Sequence, residues 1–132
     1  MRVAVPALAL TLSAVAMLAG CASSEPGPVE YGSVEDLLDA YLAAGGGPCN
    51  DWQQTNLVTL SAESGNCADG DAVLMTFTSE ENRDAAVEGL HEYADMLGLH
   101  LLVGPNWIVN ASDVRDVRGS LAGTLVMKEP TE

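Results

Sequence analysis

Basic residues are scarce in this chain: five Lys and Arg stand against nineteen Asp and Glu over 132 residues, a formal net charge of −14. Gripping a phosphate backbone or an anionic headgroup layer takes clustered Lys and Arg, so nucleic acid is excluded as a partner. The parts of familiar catalytic motifs are missing too. No Gly-rich phosphate loop, no Gly-x-Ser-x-Gly and no His-Glu-x-x-His occurs, and there are two histidines, His91 and His100. Aromatics are few, with one Phe, two Trp and three Tyr. Single aromatics in so small a domain are core or disulfide cover more often than groove lining, which is the expectation for Tyr31, Trp52 and Trp107. No internal repeat and no low-complexity segment is present.

What the chain does have begins at its start. Met1-Arg2 is followed by an apolar run from Val3 to Leu18 that ends in small residues, the pattern of a secretory signal segment. Interrupted by Pro6, Thr11 and Ser13, the run is short of the about 20 apolar residues that a bilayer core requires. Leu18-Ala19-Gly20-Cys21 resembles the lipobox of bacterial lipoproteins, in which the cysteine sulfur takes a diacylglyceryl group, the chain is cut just before it, and the new amino terminus is often acylated. The resemblance implies a mature chain starting at Cys21, held by lipid at the outer face of the cytoplasmic membrane. Two or more acyl chains anchor a protein firmly without a transmembrane helix. Loss of Arg2 with the signal leaves Arg83, Arg115, Arg118 and Lys128 against nineteen acidic residues, a formal −15.

An odd number of cysteines is awkward for an exported protein. If Cys21 carries lipid, Cys49 and Cys67 remain as a pair, and an oxidising compartment favours their bonding, stabilising the fold by roughly 3 kcal/mol on the chain-entropy view. Two free thiols or half of a metal site are the alternatives. The soft ligands left are His91 and His100, and neither shares a short spacing with a cysteine.

Residues 21–32, with Ser23-Ser24, Pro26, Pro28 and two glycines, are expected to be a flexible tether. A single domain over 33–128 follows. Ser33 is placed to cap a helix bearing Val34, Leu37, Leu38, Tyr41 and Leu42 on one face, which Gly45-Gly46-Gly47-Pro48 ends. Thr55 to Ala62 reads as a strand, 64–71 as turn, and Ala72 to Thr78 as a second strand with Val73, Met75 and Phe77 on one face. Thr78-Ser79-Glu80-Glu81 has the spacing of a capping box for a helix over 79–97, its buried face marked by Ala86, Leu90, Tyr93, Ala94 and Leu97.

The opposite flank of that helix carries Glu81, Asp84, Glu88, Glu92 and Asp95. Calcium sites draw their oxygens from folded loops rather than a helix flank, so a solvated acidic face is expected, with His91 a surface imidazole within it. Leu99 to Val103 and Trp107 to Val109 read as strands around a Gly104-Pro105-Asn106 turn, in which Gly104 and Asn106 supply positive φ and Trp107 returns to the core. His100 is expected at the surface or on an edge. Ser112-Asp113 opens a last helix with Val114, Val117, Leu121 and Leu125 inward, and Lys128 to Glu132 form a loose tail. The order α-β-β-α-β-β-α gives an α+β two-layer sandwich, a small antiparallel sheet of about four strands with helices on one face.

The lipobox, a cysteine after an amphipathic helix, a second about twenty residues on, the run Phe77-Thr78-Ser79-Glu80-Glu81-Asn82-Arg83-Asp84-Ala85 and the Val-Gly-x-Asn-Trp stretch from Val103 resemble small uncharacterised lipoproteins of actinobacteria. That resemblance implies a fold and a membrane address, and it brings no activity and no functional residue. The expected role is a non-enzymatic binding or interaction domain that meets a protein or cell-envelope partner and uses no cofactor and no metal. The alternative is a small secreted hydrolase.

Overall fold

Six strands and four helices make up residues 27–131, which the computed structural model describes. In chain order they are α1 (Val34–Ala43), β1 (Trp52–Gln54), β2 (Glu63–Cys67), β3 (Val73–Thr76), α2 (Glu80–His91), α3 (Ala94–Leu97), β4 (Leu99–Val103), β5 (Trp107–Asn110), α4 (Val114–Leu121) and β6 (Thr124–Lys128). The fold is α+β, with one antiparallel sheet in the order β1-β2-β3-β5-β4-β6. The signal segment and Cys21 lie outside the described residues, and no described helix is long and apolar enough to cross a membrane.

Helices cover both faces of this sheet, not one. Neighbouring residues on the central strands are buried on opposite sides. Leu74, Leu102 and Val109 pack with α1 and α4, whereas Met75, Leu101 and Ile108 pack with Ala86 and Ala94 of α2 and α3. Topology explains the difference. β3 runs parallel to β4 with β5 between them, and β5 runs parallel to β6 with β4 between them. Both crossovers step the same way across the sheet from strands of opposite direction, so a common hand, the right-handed one that twisted strands favour, sends their helices to opposite faces. The second crossover exists only because β6 does. Thr124 to Lys128 form an edge strand beside β4, where the sequence suggested helix end and loose tail. Ala122 ends α4 at φ 57°, and a Cβ on Gly123 would lie 2.9 Å from Leu102 Cγ, so the chain reverses where only glycine fits.

The first half departs from expectation for a related reason. Residues 55–62 are a loop, not a strand, and the turn-like run Glu-Ser-Gly-Asn-Cys is β2, paired on both sides (Trp52↔Cys67 with β1, Gly65↔Leu74 with β3). Gly65 is required there because the Trp52 ring lies against it, 2.5 Å from where a Cβ would stand. The 55–62 loop folds back on β2 through local polar groups. The amides of Thr55 and Asn56 donate to Ser64 O, Ser64 N donates to Asn56 Oδ1, and Val58 N donates to Ser64 Oγ. Such side-chain bonding competes with a ladder.

α1 forms where its sequence places it, although Leu42, expected on the apolar face, is 38% exposed at its end. Ser33 Oγ accepts from Asp36 N at 3.1 Å, Glu35 and Asp36 occupy the first turn, and Val34, Leu37, Leu38 and Tyr41 are buried. The Cys49–Cys67 disulfide joins the segment leading into β1 to the end of β2. α2 starts one residue later than the capping box suggested, with Ser79 Oγ accepting from Asn82 N. It also stops at His91, and α3 is a separate turn.

Two further expectations change. Gly104 does not have positive φ; it is glycine because the Trp107 indole covers it, a Cβ there falling 1.9 Å from Trp107 Cε2. Asn106 also lacks positive φ and serves as a strap, accepting from Tyr31 N and donating to Tyr31 O at 2.7 Å. Trp107 Nε1 donates to Val29 O, and the Tyr31 ring tilts against the indole at 5.9 Å. The end of the segment expected as tether, from Val29 on, is therefore fastened to the β4–β5 turn.

Candidate functional site

Two carboxylates, Asp113 and Asp69, act as structural clasps. Tyr41 Oη donates to the Asp113 carboxylate at 2.8 Å, and Gly47 N donates to both Tyr41 Oη and Asp113 Oδ2. Burial, and then the neighbouring Asp113 carboxylate, push the Tyr41 phenol far above its ordinary value, so it remains protonated and ties the end of α1 to the start of α4. Asp69 accepts from the amides of Asn50 and Asp51, and those bonds, Asn50 first, hold its carboxyl below the usual range. Among the described residues no group of three or more His, Cys, Asp or Glu is spaced to hold a metal ion.

The residues singled out in the sequence stay dispersed. His91 is exposed at the end of α2, and His100 is half-buried on β4, an interior strand and not an edge. Trp107 is fully buried, as expected. Trp52 covers Gly65 beside the disulfide, its Nε1 buried without a partner among the described residues.

An apolar groove of about 420 Å³ lies instead between α2 and the 55–62 loop, over β3. Met75 and Ala86 form its floor, Leu90 and Tyr93 one wall, and Val58 and Leu60 the other. Such a volume is within the range of about 300–1,000 Å³ typical of ligand pockets. Gly89 lies along the α2 side, and a Cβ there would meet nothing within 4 Å. Gly89 lies in the last turn of α2; a glycine inside a helix weakens it by up to about 1 kcal/mol relative to alanine, and no packing contact here calls for one. What its missing side chain leaves is open space on that side of the groove. Leu60 is 44% exposed at φ 73°, a left-handed conformation that costs a branched residue on the order of 1–3 kcal/mol and is found at ligand clamps.

Large apolar side chains are exposed in the segments that continue from the groove's walls. Tyr93, Met96 and Leu97 are 59%, 76% and 74% exposed, and Leu57 is 81% exposed beside Val58. Two of these, Tyr93 and Leu97, were expected in the core. The break after His91 is the reason: a single helix over 79–97 would keep its stripe inward, but the turn at Glu92-Tyr93 leaves Ala94 buried and rotates its neighbours to solvent.

Electrostatically the groove is one-sided. Glu92, the C-cap of α2, lines it, and Glu81 and Glu88, seven residues apart, share one flank of the helix that forms this side. The described cations are engaged or placed elsewhere. Arg83 donates to Gly104 O and Pro105 O and pairs with Asp84, Lys128 pairs with Asp95, and Arg115 and Arg118 belong to α4 on the far side of the sheet. The sequence signal that could have marked this site was Gly89 inside a helix; Leu60 was read instead as part of a strand over 55–62. No family model, no curated protein and no solved structure matches this chain.

Proposed function

We propose that this protein is a lipid-anchored, extracytoplasmic binding domain without catalysis of its own, and that it binds through the groove between α2 and residues 55–62. The observation that carries the reading is the groove itself, an open apolar cleft with a helical glycine at its side and large apolar side chains at its mouth. Contiguous exposed apolar surface of this kind marks interaction sites. The membrane address rests on Met1-Arg2, the apolar run and Leu18-Ala19-Gly20-Cys21.

A small secreted hydrolase would need a nucleophile or an activated water held by a base. The titratable side chains lining the groove are Glu92 and Tyr93, and no hydrogen bond among the described residues joins either to a second titratable group. In cells lacking the gene, the wild-type chain and the His91→Gln/His100→Gln variant should both restore the phenotype. Gly89→Phe should not, although it reaches the membrane fraction at wild-type level. Rescue by Gly89→Phe would remove the groove from the function, and failure of the histidine variant would favour the enzyme.

A further inference from the structure

We propose that the groove takes a cationic, amphipathic helix of a protein partner, with an apolar side chain seated beside Gly89 and Lys or Arg residues along Glu81, Glu88 and Glu92. The inference rests on the groove being the binding site and adds the chemistry of what fills it. Gly89 leaves open space on the α2 side of a groove that Met75, Leu60 and Tyr93 also line, which suits one bulky apolar anchor. An amphipathic helix presents such anchors at three-and-four spacing with its polar residues alongside.

Charge selects among possible occupants. Glu92 lines the groove, Glu81 and Glu88 share a flank of the helix that forms its α2 side, and none of the three is paired with a cation among the described residues. Like charges spaced along one helix flank repel, and a cationic partner relieves that repulsion. The chain as a whole carries a formal −14, which speeds encounter with a cation and opposes an anionic one. A second copy of this chain brings the same acidic row to a two-fold contact, setting like charges against each other.

A lipid surface is disfavoured on two grounds. The negative field repels anionic headgroups. The patch is also at the wrong end. Val29 and Tyr31 are fastened at Asn106 and Trp107, the end of the molecule where α2 begins and where Arg83 meets Gly104. Tyr93, Met96 and Leu97 follow the other end of α2, across the length of β4, where Asp95 meets Lys128. The apolar patch thus lies away from the point where the chain from Cys21 joins the domain.

The test uses the mature full-length chain carrying Cys21→Ser and a fluorescent helical peptide of Leu and Lys about four turns long, apolar along one face. A matched peptide has Glu in place of Lys. Binding is read by anisotropy at low and high salt, with circular dichroism to verify the fold of each variant. The Lys peptide should bind about tenfold or more tightly than the Glu peptide, and Gly89→Phe should weaken it by about tenfold or more. The triple variant Glu81→Gln/Glu88→Gln/Glu92→Gln should weaken it similarly and remove most of its salt dependence. Gly89→Ala, which adds one methyl, should weaken it less.

Equal binding of the two peptides, or no effect of the triple variant, would overturn the cationic partner. If Gly89→Phe still abolished rescue in cells, the groove would remain the site and only its occupant would be wrong. Peptide binding untouched by Gly89→Phe would remove the groove itself. Phosphatidylcholine vesicles, or self-association seen by sedimentation, blocked by Gly89→Phe while the Lys peptide fails to bind would replace the partner helix by lipid or by a second copy.

Discussion

Replacing Gly89 by alanine should stabilise the protein. Gly89 lies in the last turn of α2, its φ is not positive, and a Cβ would meet nothing within 4 Å. The substitution therefore adds no clash and removes unfolded-chain freedom, a gain of about 0.5–1 kcal/mol. For a domain of this size that corresponds to a rise in melting temperature of about 3–6 °C. The same chemical change at Gly104 should act in the opposite direction. There the new methyl would lie 1.9 Å from Trp107 Cε2 and 2.3 Å from Nε1, displacing an indole that is fully buried and donates to Val29 O. Overpacking of that kind costs about 1–3 kcal/mol, and loss of the indole bond about 1 kcal/mol more. Thermal and urea unfolding of the two variants beside the wild type measures both. A lower midpoint for Gly89→Ala would mean that the space beside Gly89 is filled, and the groove as described would not exist.

Tyr41→Phe should destabilise the protein by about 1.5–3 kcal/mol, since it removes a donor to a carboxylate that keeps only the Gly47 amide. Because the folded state holds the Tyr41 proton more tightly than the unfolded chain, whose phenol titrates near 10.0, its contribution is complete below pH 10 and is lost as pH rises above it; the alkaline fall in stability should be shallower in Tyr41→Phe. Cys49→Ser or Cys67→Ser should lower stability by about 2–5 kcal/mol in denaturant titrations, and two titratable thiols in the non-reduced folded protein would contradict the bond. Intact mass of protein extracted from membranes should match residues 21–132 plus acyl groups, and an unmodified mature chain would end the lipoprotein reading.

α1, β3, β4 and β5 were legible because local signals and tertiary packing agree there: a Ser33 cap with a three-and-four apolar face, and apolar runs bounded by turns. β2 was not legible. Glu-Ser-Gly-Asn-Cys has the composition of a turn, and it is a strand because β1 and β3 supply ladders on both sides, Trp52 fits only over a glycine, and Cys67 is held by Cys49. Propensity is a weak prior against two partners at once. β6 failed for the opposite reason. Its residues favour a strand, but the helical spacing of Val114, Val117, Leu121 and Leu125 continues through the reversal at Ala122-Gly123, so a strand residue completed a helix pattern by coincidence.

The groove was hidden by the same mechanism acting on a helix. Ala86, Leu90, Tyr93, Ala94 and Leu97 fit one stripe only if the helix is continuous, and nothing local marks a break between His91 and Ala94. Tertiary geometry marks it. β4 must start at Leu99 beside β5 and β6, Gly98 turns into it at φ 75°, and the tail returns to donate from Thr131 N to Asp95 O. Ala94 is the one residue of α3 buried against the sheet, and Met96 and Leu97 are left outside. Apolar exposure that follows from a helix break, next to a glycine that weakens the same helix with no packing return, is a stability sacrifice at one place on the fold. Across the sheet, α1 and α4 keep Val34, Leu37, Leu38, Tyr41, Val114, Val117 and Leu121 in the core and leave Leu42 as their exposed large apolar side chain, so most of the apolar exposure falls on the α2–α3 side.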